Sequence, residues 1–271
     1  MGQGRFWTAR IALGLFIVSL LSGLLPVFVY HASDPYGSVQ TLTFLLPYGA
    51  FFRQLHYVSS ELFLMVLVAH IVLELMRKRI TITHASWLYS VLGAVAVVGL
   101  MFSGFVLKGD QGADAAAQVA LHLMSETPLL DRLLPLVRDT EVFVHKFFIW
   151  HILFLPLLLA LAIFKHIDRI VPERTYWVLG LGISVVGLLV WKMPVDIAPN
   201  EAVEHLKGPW FFQGAENLLQ MGLAPWVVNG IVAVPFGLLV LYPFVTARRW
   251  IGGALLLWLI AYTIVTVAWW L

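Results

Sequence analysis

The sequence predicts an all-α, polytopic membrane protein: seven transmembrane helices, four forming a bundle and three following it. Three observations predict this class. Of the 271 residues, 61% are hydrophobic and 12% charged, which leaves no room for a sizeable soluble domain. The apolar residues gather into seven runs, each near the length that crosses a bilayer core. Two of those runs carry matched pairs of histidines, His56 with His70 and His151 with His166.

The first run, 9–30, is too long for the hydrophobic stretch of a signal peptide and shows no clear small-residue cleavage site, so it reads as a helix. The second and third cover 50–76 and 87–107, and the fourth covers 143–167. The last three are 176–192, 224–245 and 250–271, the first of them short. Between the third and fourth runs, residues 108–142 place Val119, Leu123, Leu130, Leu134 and Val137 at helical spacing, broken by Pro128 and Pro135. This pattern predicts surface helices lying on the bilayer. The connection 193–222 holds Gly208-Pro209-Trp210-Phe211-Phe212 and then a helix-like stretch over 213–221. Its aromatics suit either an interfacial belt or the wall of a cavity.

Charge sets the orientation. Arg5, Arg10, Arg77, Lys78, Arg79, Lys165, Arg169, Arg174, Arg248 and Arg249 crowd into the short segments on one side. Most acids, among them Asp110, Asp114, Glu126, Asp131, Asp196 and Glu201, fall on the other. The positive side faces the cytoplasm, which predicts a cytoplasmic N-terminus and a periplasmic C-terminus in a bacterial inner membrane. The net charge of +2 is dispersed along membrane boundaries and marks no nucleic-acid partner. The chain has no cysteine, which excludes disulfides, Cys-ligated iron–sulfur clusters and c-type haem attachment within it.

The histidine spacings carry the chemistry. A helix advances about 100° and 1.5 Å per residue, so fourteen residues leave His56 and His70 within about 40° of each other and about 21 Å apart along the axis. Fifteen residues leave His151 and His166 within about 60° and about 22 Å apart. Two such helices side by side present two facing histidine pairs, one above the other, which is the geometry that holds two b-type haems with two axial imidazoles each. A zinc ion needs ligands that converge on one point, and ligands about 20 Å apart cannot share one. In the predicted orientation His56 and His151 lie near the outer face, and His70 and His166 near the inner face. Gly23 and Gly104 sit at the outer level, where a missing side chain admits either a cofactor edge or a neighbouring helix. Glu61 lies five residues past His56 in an apolar run. An acid at that depth is either a proton-handling group or a neutral carboxyl bonded to a backbone carbonyl, Ser59 or Ser60.

Several stretches resemble cytochrome b of the quinol:cytochrome oxidoreductases, the bc and bf complexes. Arg53-Gln54-Leu55-His56 is similar to the family's Arg-x-x-His, and His70 falls at its spacing. Lys146-Phe147-Phe148, ending on His151, is similar to Arg-Phe-Phe-x-x-His with Lys for Arg. Pro156 and the fifteen-residue step to His166 resemble the bf-type variant. The resemblance divides the chain into a dihaem four-helix half, 1–172, and a smaller quinone-site half, 173–271, fused in one polypeptide. It implies that His56 with His151 and His70 with His166 are the axial ligands, and that Arg53 and Lys146 lie near haem propionates. It implies a quinone pocket between residues 108–118 and Trp210. Where the family carries Pro-Glu-Trp-Tyr, this chain reads Gly208-Pro209-Trp210-Phe211, without the carboxylate and the phenol. Glu61 is the candidate to replace that acid, beside Trp210, and Glu204 and Glu216, which flank the altered motif, are the alternatives.

The expected function is the membrane subunit of a quinol:cytochrome oxidoreductase, moving electrons between membrane quinone and a periplasmic c-type or multihaem cytochrome. Iron–sulfur subunits on the outer side and a homodimer belong to the same expectation. A quinone-reducing anchor of a periplasmic dehydrogenase is the alternative, and a haem-free transporter or scaffold a remote one.

Overall fold

A computed structural model describes residues 7–76, 82–137, 140–166, 174–199, 201, 208–246 and 248–268. Arg5, Arg77, Lys78, Arg79, Arg169, Glu204, His205 and Lys207 lie outside the described residues. All regular structure within those residues is helical. In chain order the helices are α1 (Trp7–Ser22), α2 (Leu24–Val27), α3 (Pro35–Gln40), α4 (Gly49–Leu75), α5 (His84–Val106) and α6 (Gln111–Ser125). They continue with α7 (Thr140–Ile149), α8 (Leu155–His166), α9 (Arg174–Val190), α10 (Trp210–Gln220), α11 (Pro225–Leu241) and α12 (Arg248–Ala268).

Among the described residues, six helical stretches are long and apolar enough to cross a membrane, including α4, α5, α12 and the continuous run Phe143–His166 that joins α7 to α8. The expected fifth span, 176–192, is α9, apolar but with 17 residues shorter than that length. It nevertheless packs along α1 and against α4. Gly14 and Gly180 bring the backbones of α1 and α9 into contact, and no Cβ fits at either glycine. Ser184 is fully buried one turn on, and a Cβ at Gly187 would press on Val58 and Leu62 of α4. Small residues at four-residue spacing let helices approach where lipid supplies no hydrophobic drive between them.

Local chemistry sets the ends of several helices. Asp34, Thr83 and Asp110 cap α3, α5 and α6 by accepting the amides of Gly37, Ser86 and Ala113. Gly109, at φ +63°, turns the chain from α5 into α6, and a Cβ there would collide with Pro35. The predicted surface helix is α6, which ends before Pro128, and Pro135 sits in a short 3-10 turn over Asp131–Leu136.

The core of the bundle is a layer of Leu15, Phe63, Leu64, Ala96, Val97 and Leu159, contributed by α1, α4, α5 and α8. In sequence each of these lies between the histidine-level positions of its own helix, so the layer separates the two levels. α11 and α12 close the other side: the Trp87 indole donates to the Leu239 carbonyl at 2.8 Å, and Trp258 to the Ile231 carbonyl at 2.9 Å.

Candidate functional site

His56 on α4 and His151 in the run Phe143–His166 face each other, ring centroids 6.1 Å apart and planes 81° apart. Metal–imidazole bonds are about 2 Å long. Adding about 1 Å from each nitrogen to its ring centre, one metal between two opposed imidazoles needs centroids about 6 Å apart. The observed pair meets that requirement.

Neighbouring helices hold the rings. His56 Nδ1 donates to the Ser19 carbonyl at 2.8 Å, and His151 Nδ1 lies 3.0 Å from the Ser103 hydroxyl. On the inner level His70 Nδ1 lies 3.0 Å from the Thr8 hydroxyl, and His166 Nδ1 donates to the Ser86 carbonyl at 3.2 Å. Thus α1 anchors both histidines of α4, and α5 anchors both histidines of the fourth membrane run. A carbonyl partner fixes the proton on Nδ1 and leaves the Nε2 lone pair for a metal, the arrangement that orients metal-bound imidazoles. The sequence reading missed all four anchors: two are backbone carbonyls, which no residue type marks, and a Ser or Thr hydroxyl in an apolar helix more often bonds its own preceding turn.

The fifteen-residue step also finds its reason. Trp150–Phe154 forms a π-helical turn that contains His151. Such a turn inserts a residue without advancing the helical face, so the fifteen-residue step aligns its ends much as fourteen residues do in α4. Pro156, which has no amide hydrogen, follows after Leu155.

Both predicted glycines touch the outer pair. A Cβ at Gly23 would stand 2.9 Å from His56 Cε1, and one at Gly104 2.8 Å from His151 Cε1. Gly23, Gly104, His56 and His151 line one cavity of about 780 Å³, within the range of about 300–1,000 Å³ usual for small-ligand sites. Facing imidazoles, a tautomer fixed at His56 and glycine walls together fit a bis-histidine haem.

The same cavity is lined by Glu61, Tyr57, Trp191 and Trp210. The Trp210 indole donates to Glu61 Oε2 at 2.6 Å, which joins two residues 149 positions apart. Ser59 and Ser60 are not partners of Glu61; both hydroxyls donate to the His56 carbonyl. Glu216 is not among the residues lining the cavity. Its carboxylate accepts the Gly208 amide at 3.3 Å and so holds the turn that presents Trp210. Burial pushes the Glu216 carboxyl above its ordinary range, and the Gly208 amide opposes that shift.

Arg53 lines the cavity, but Asp196 engages its guanidinium through both nitrogens, at 2.6 and 2.7 Å. Thr43 accepts a further hydrogen bond from Arg53 at 2.8 Å. Lys108 pairs with Asp110 at 2.8 Å and stands 3.9 Å from Asp196. The amide of Gln111 donates to the Ile197 carbonyl at 3.0 Å. The segment after α9 is thereby stapled across the cavity rim by a residue, Asp196, that the sequence reading counted only as an outer acid. Lys146 stands on α7, five residues before His151, and is not among the lining residues.

Comparison with known proteins gives a family, two relatives and a shared fold. A family model for cytochrome b/b6/petB matches residues 4–172. Cytochrome b6 of Heliobacterium modesticaldum is 23% identical over 155 residues, covering 52% of this chain and 70% of that protein. The cytochrome bc complex cytochrome b subunit of Chlorobaculum thiosulfatiphilum is 26% identical over 282 aligned positions, covering 85% of this chain and 66% of that protein. Among solved structures, a chain of a hyperthermophilic respiratory Complex III shares the fold, with a TM-score of 0.65 at 15% identity, covering 96% of this chain and 91% of that chain.

Proposed function

Since this chain belongs to the cytochrome b family, a family of electron-transfer subunits in membrane oxidoreductase complexes, we propose that it is the dihaem subunit of a quinol oxidoreductase. His56 and His151 would hold the outer b-type haem, and His70 and His166 the inner one. The observation that carries this reading is the opposed imidazole pair 6.1 Å apart, with glycines at both ring edges. A haem bound there supplies one-electron redox chemistry that no side chain offers. The protein's own part is to fix the imidazoles through Ser19, Ser103, Thr8 and Ser86, and to exclude water with the Leu15–Phe63 layer. We place the quinone pocket in the outer cavity, between the start of α6 and Trp210, as the sequence resemblance implies.

In this reading α9 is the fifth of seven crossings, and residues 1–172 and 173–271 form the haem-carrying and quinone-site halves. The N-terminus is cytoplasmic, the C-terminus periplasmic, and the membrane a bacterial inner membrane. The partner is a periplasmic c-type or multihaem cytochrome, with an iron–sulfur subunit and a homodimeric complex in the same scheme. The sequence resemblance implies that Arg53 and Lys146 lie near haem propionates; of the two, Arg53 lines the cavity, paired there with Asp196.

A redox-titrated visible spectrum of the purified protein tests the core of this. Two b-type haems are expected in the wild type, one fewer in His70→Ala and one fewer in His151→Ala, with different midpoints lost in each. A spectrum without haem, or a single haem that survives both changes, would overturn the assignment.

A further inference from the structure

We infer that Glu61 is the group that accepts the hydroxyl proton of a hydroquinone bound in the outer cavity, with the Trp210 indole orienting its carboxylate. This inference rests on the quinol-oxidoreductase reading above.

A carboxylate at membrane depth is costly and persists where it lines a cavity or handles protons. Glu61 is 4% exposed to solvent yet lines the outer cavity. Among the described residues its one hydrogen-bond donor is Trp210, which occupies Oε2 and leaves Oε1 to a ligand. The other acid of the cavity wall, Asp110, is not available in the same way: it pairs with Lys108 and caps α6 through the Ala113 amide. Asp196 is consumed by Arg53. Glu216 stands behind the Gly208 turn. Of the acids around the cavity, Glu61 therefore combines a free oxygen with a position inside it.

The four residues Gly208-Pro209-Trp210-Phe211 offer no acid and no phenol of their own. The tertiary fold brings a carboxylate to that loop from α4 instead. The indole fixes one oxygen at 2.6 Å, a short, charge-assisted bond, and so aims the other. One turn nearer the outer rim, Tyr57 lines the same cavity, as does Trp191.

The step is an acid–base one. An O–H bond of the hydroquinone breaks, an O–H bond forms on Glu61, and the ring keeps the electron pair as a hydroquinone anion. Oxidation of that anion by one-electron carriers is the reaction already proposed for the complex. A positioned general base contributes about 10²–10⁴-fold to a rate.

The test uses the intact complex with duroquinol as the probe. Redox-difference infrared spectroscopy should show a protonated-carboxyl C=O band appear with duroquinol oxidation in the wild type. Glu61→Gln should abolish that band and slow haem reduction by duroquinol at least about 100-fold. Both b-haem bands should persist in that variant, and Glu61→Asp should recover part of the rate. Trp210→Phe, which keeps the carboxyl and removes its donor, should move the band to a new frequency. A band that survives Glu61→Gln with both haems in place, or a wild-type rate in that variant, overturns the role of Glu61 alone. If Glu61→Gln does not assemble, a C=O band unmoved in Trp210→Phe overturns it. Absence of b-type haem in the wild type instead defeats the reading on which the inference rests.

Discussion

Single atoms decide the outer site. Gly23 and Gly104 leave the edges of His56 and His151 bare, and a Cβ at either would come within 3 Å of a ring carbon. Gly104→Val and Gly23→Val should each remove the outer haem and spare the inner one, seen as loss of one of two midpoints in a spectroelectrochemical titration. Retention of both haems in either variant would show that the ring has room to shift. Ser103→Ala acts more mildly, because it removes the hydroxyl beside His151 Nδ1 and leaves the ligand itself. Changes to such partners cost about 10–100-fold in affinity for the metal group, so Ser103→Ala should lose haem faster than wild type under competition with apo-myoglobin. Glu61 and Trp210 belong to the same scale: a 2.6 Å bond between residues of distant helices makes a solitary buried acid into a directed one.

At the scale of elements, two connections shape the cavity. The segment following α9 is tied down by Asp196, whose side chain is 6% exposed, against Arg53, at 10%. Removing one member of a buried pair leaves an uncompensated charge and costs about 3–5 kcal/mol. Asp196→Ala should therefore lower the unfolding midpoint markedly, and the double change with Arg53→Met should restore much of it; a thermal melt of both variants checks this. The turn before α10 depends on Glu216. The folded state binds the Glu216 proton more tightly than the unfolded chain does, because burial raises its pKa. Its contribution is complete below the ordinary value of 4.5 and is lost as pH rises through the raised one. Glu216→Gln should flatten that part of the stability-against-pH curve above 4.5, measured by denaturation at successive pH values. The π-helical turn around His151 is the third device, since it brings a fifteen-residue spacing into line with a fourteen-residue one.

At the scale of the whole molecule, the bundle stacks two histidine levels with an apolar layer between them, Phe16 and Phe63 lying 5.8 Å apart across it. α1 and α12 start at the same end: Thr8 meets His70, and Ile251 packs beside Leu75. The far end of α12 meets α10, where Asn217 donates to the Val265 carbonyl. Because the chain has no cysteine, single cysteines report the orientation cleanly. Glu201→Cys should react with a membrane-impermeant maleimide on intact spheroplasts, and Arg249→Cys only after permeabilisation. The reverse pattern would invert the proposed topology.

The sequence by itself determined the helical class, most of the helix positions and the two histidine levels, because those depend on hydrophobic run length and on a period of 3.6 residues. The glycines beside His56 and His151 were legible for the same reason. It did not give the ends of α9, expected over 176–192 and found over Arg174–Val190. Nor did it show which groups meet across the bundle. Asp196 with Arg53 joins residues 143 positions apart, and Trp210 with Glu61 joins residues 149 apart. No local pattern encodes such pairs. The Ser and Thr side chains or carbonyls behind each histidine, and the use of Glu216 to hold a turn, were likewise decided only when packing brought them together. A hydrogen bond depends on position to within a few tenths of an ångström, and only the assembled fold fixes position that finely.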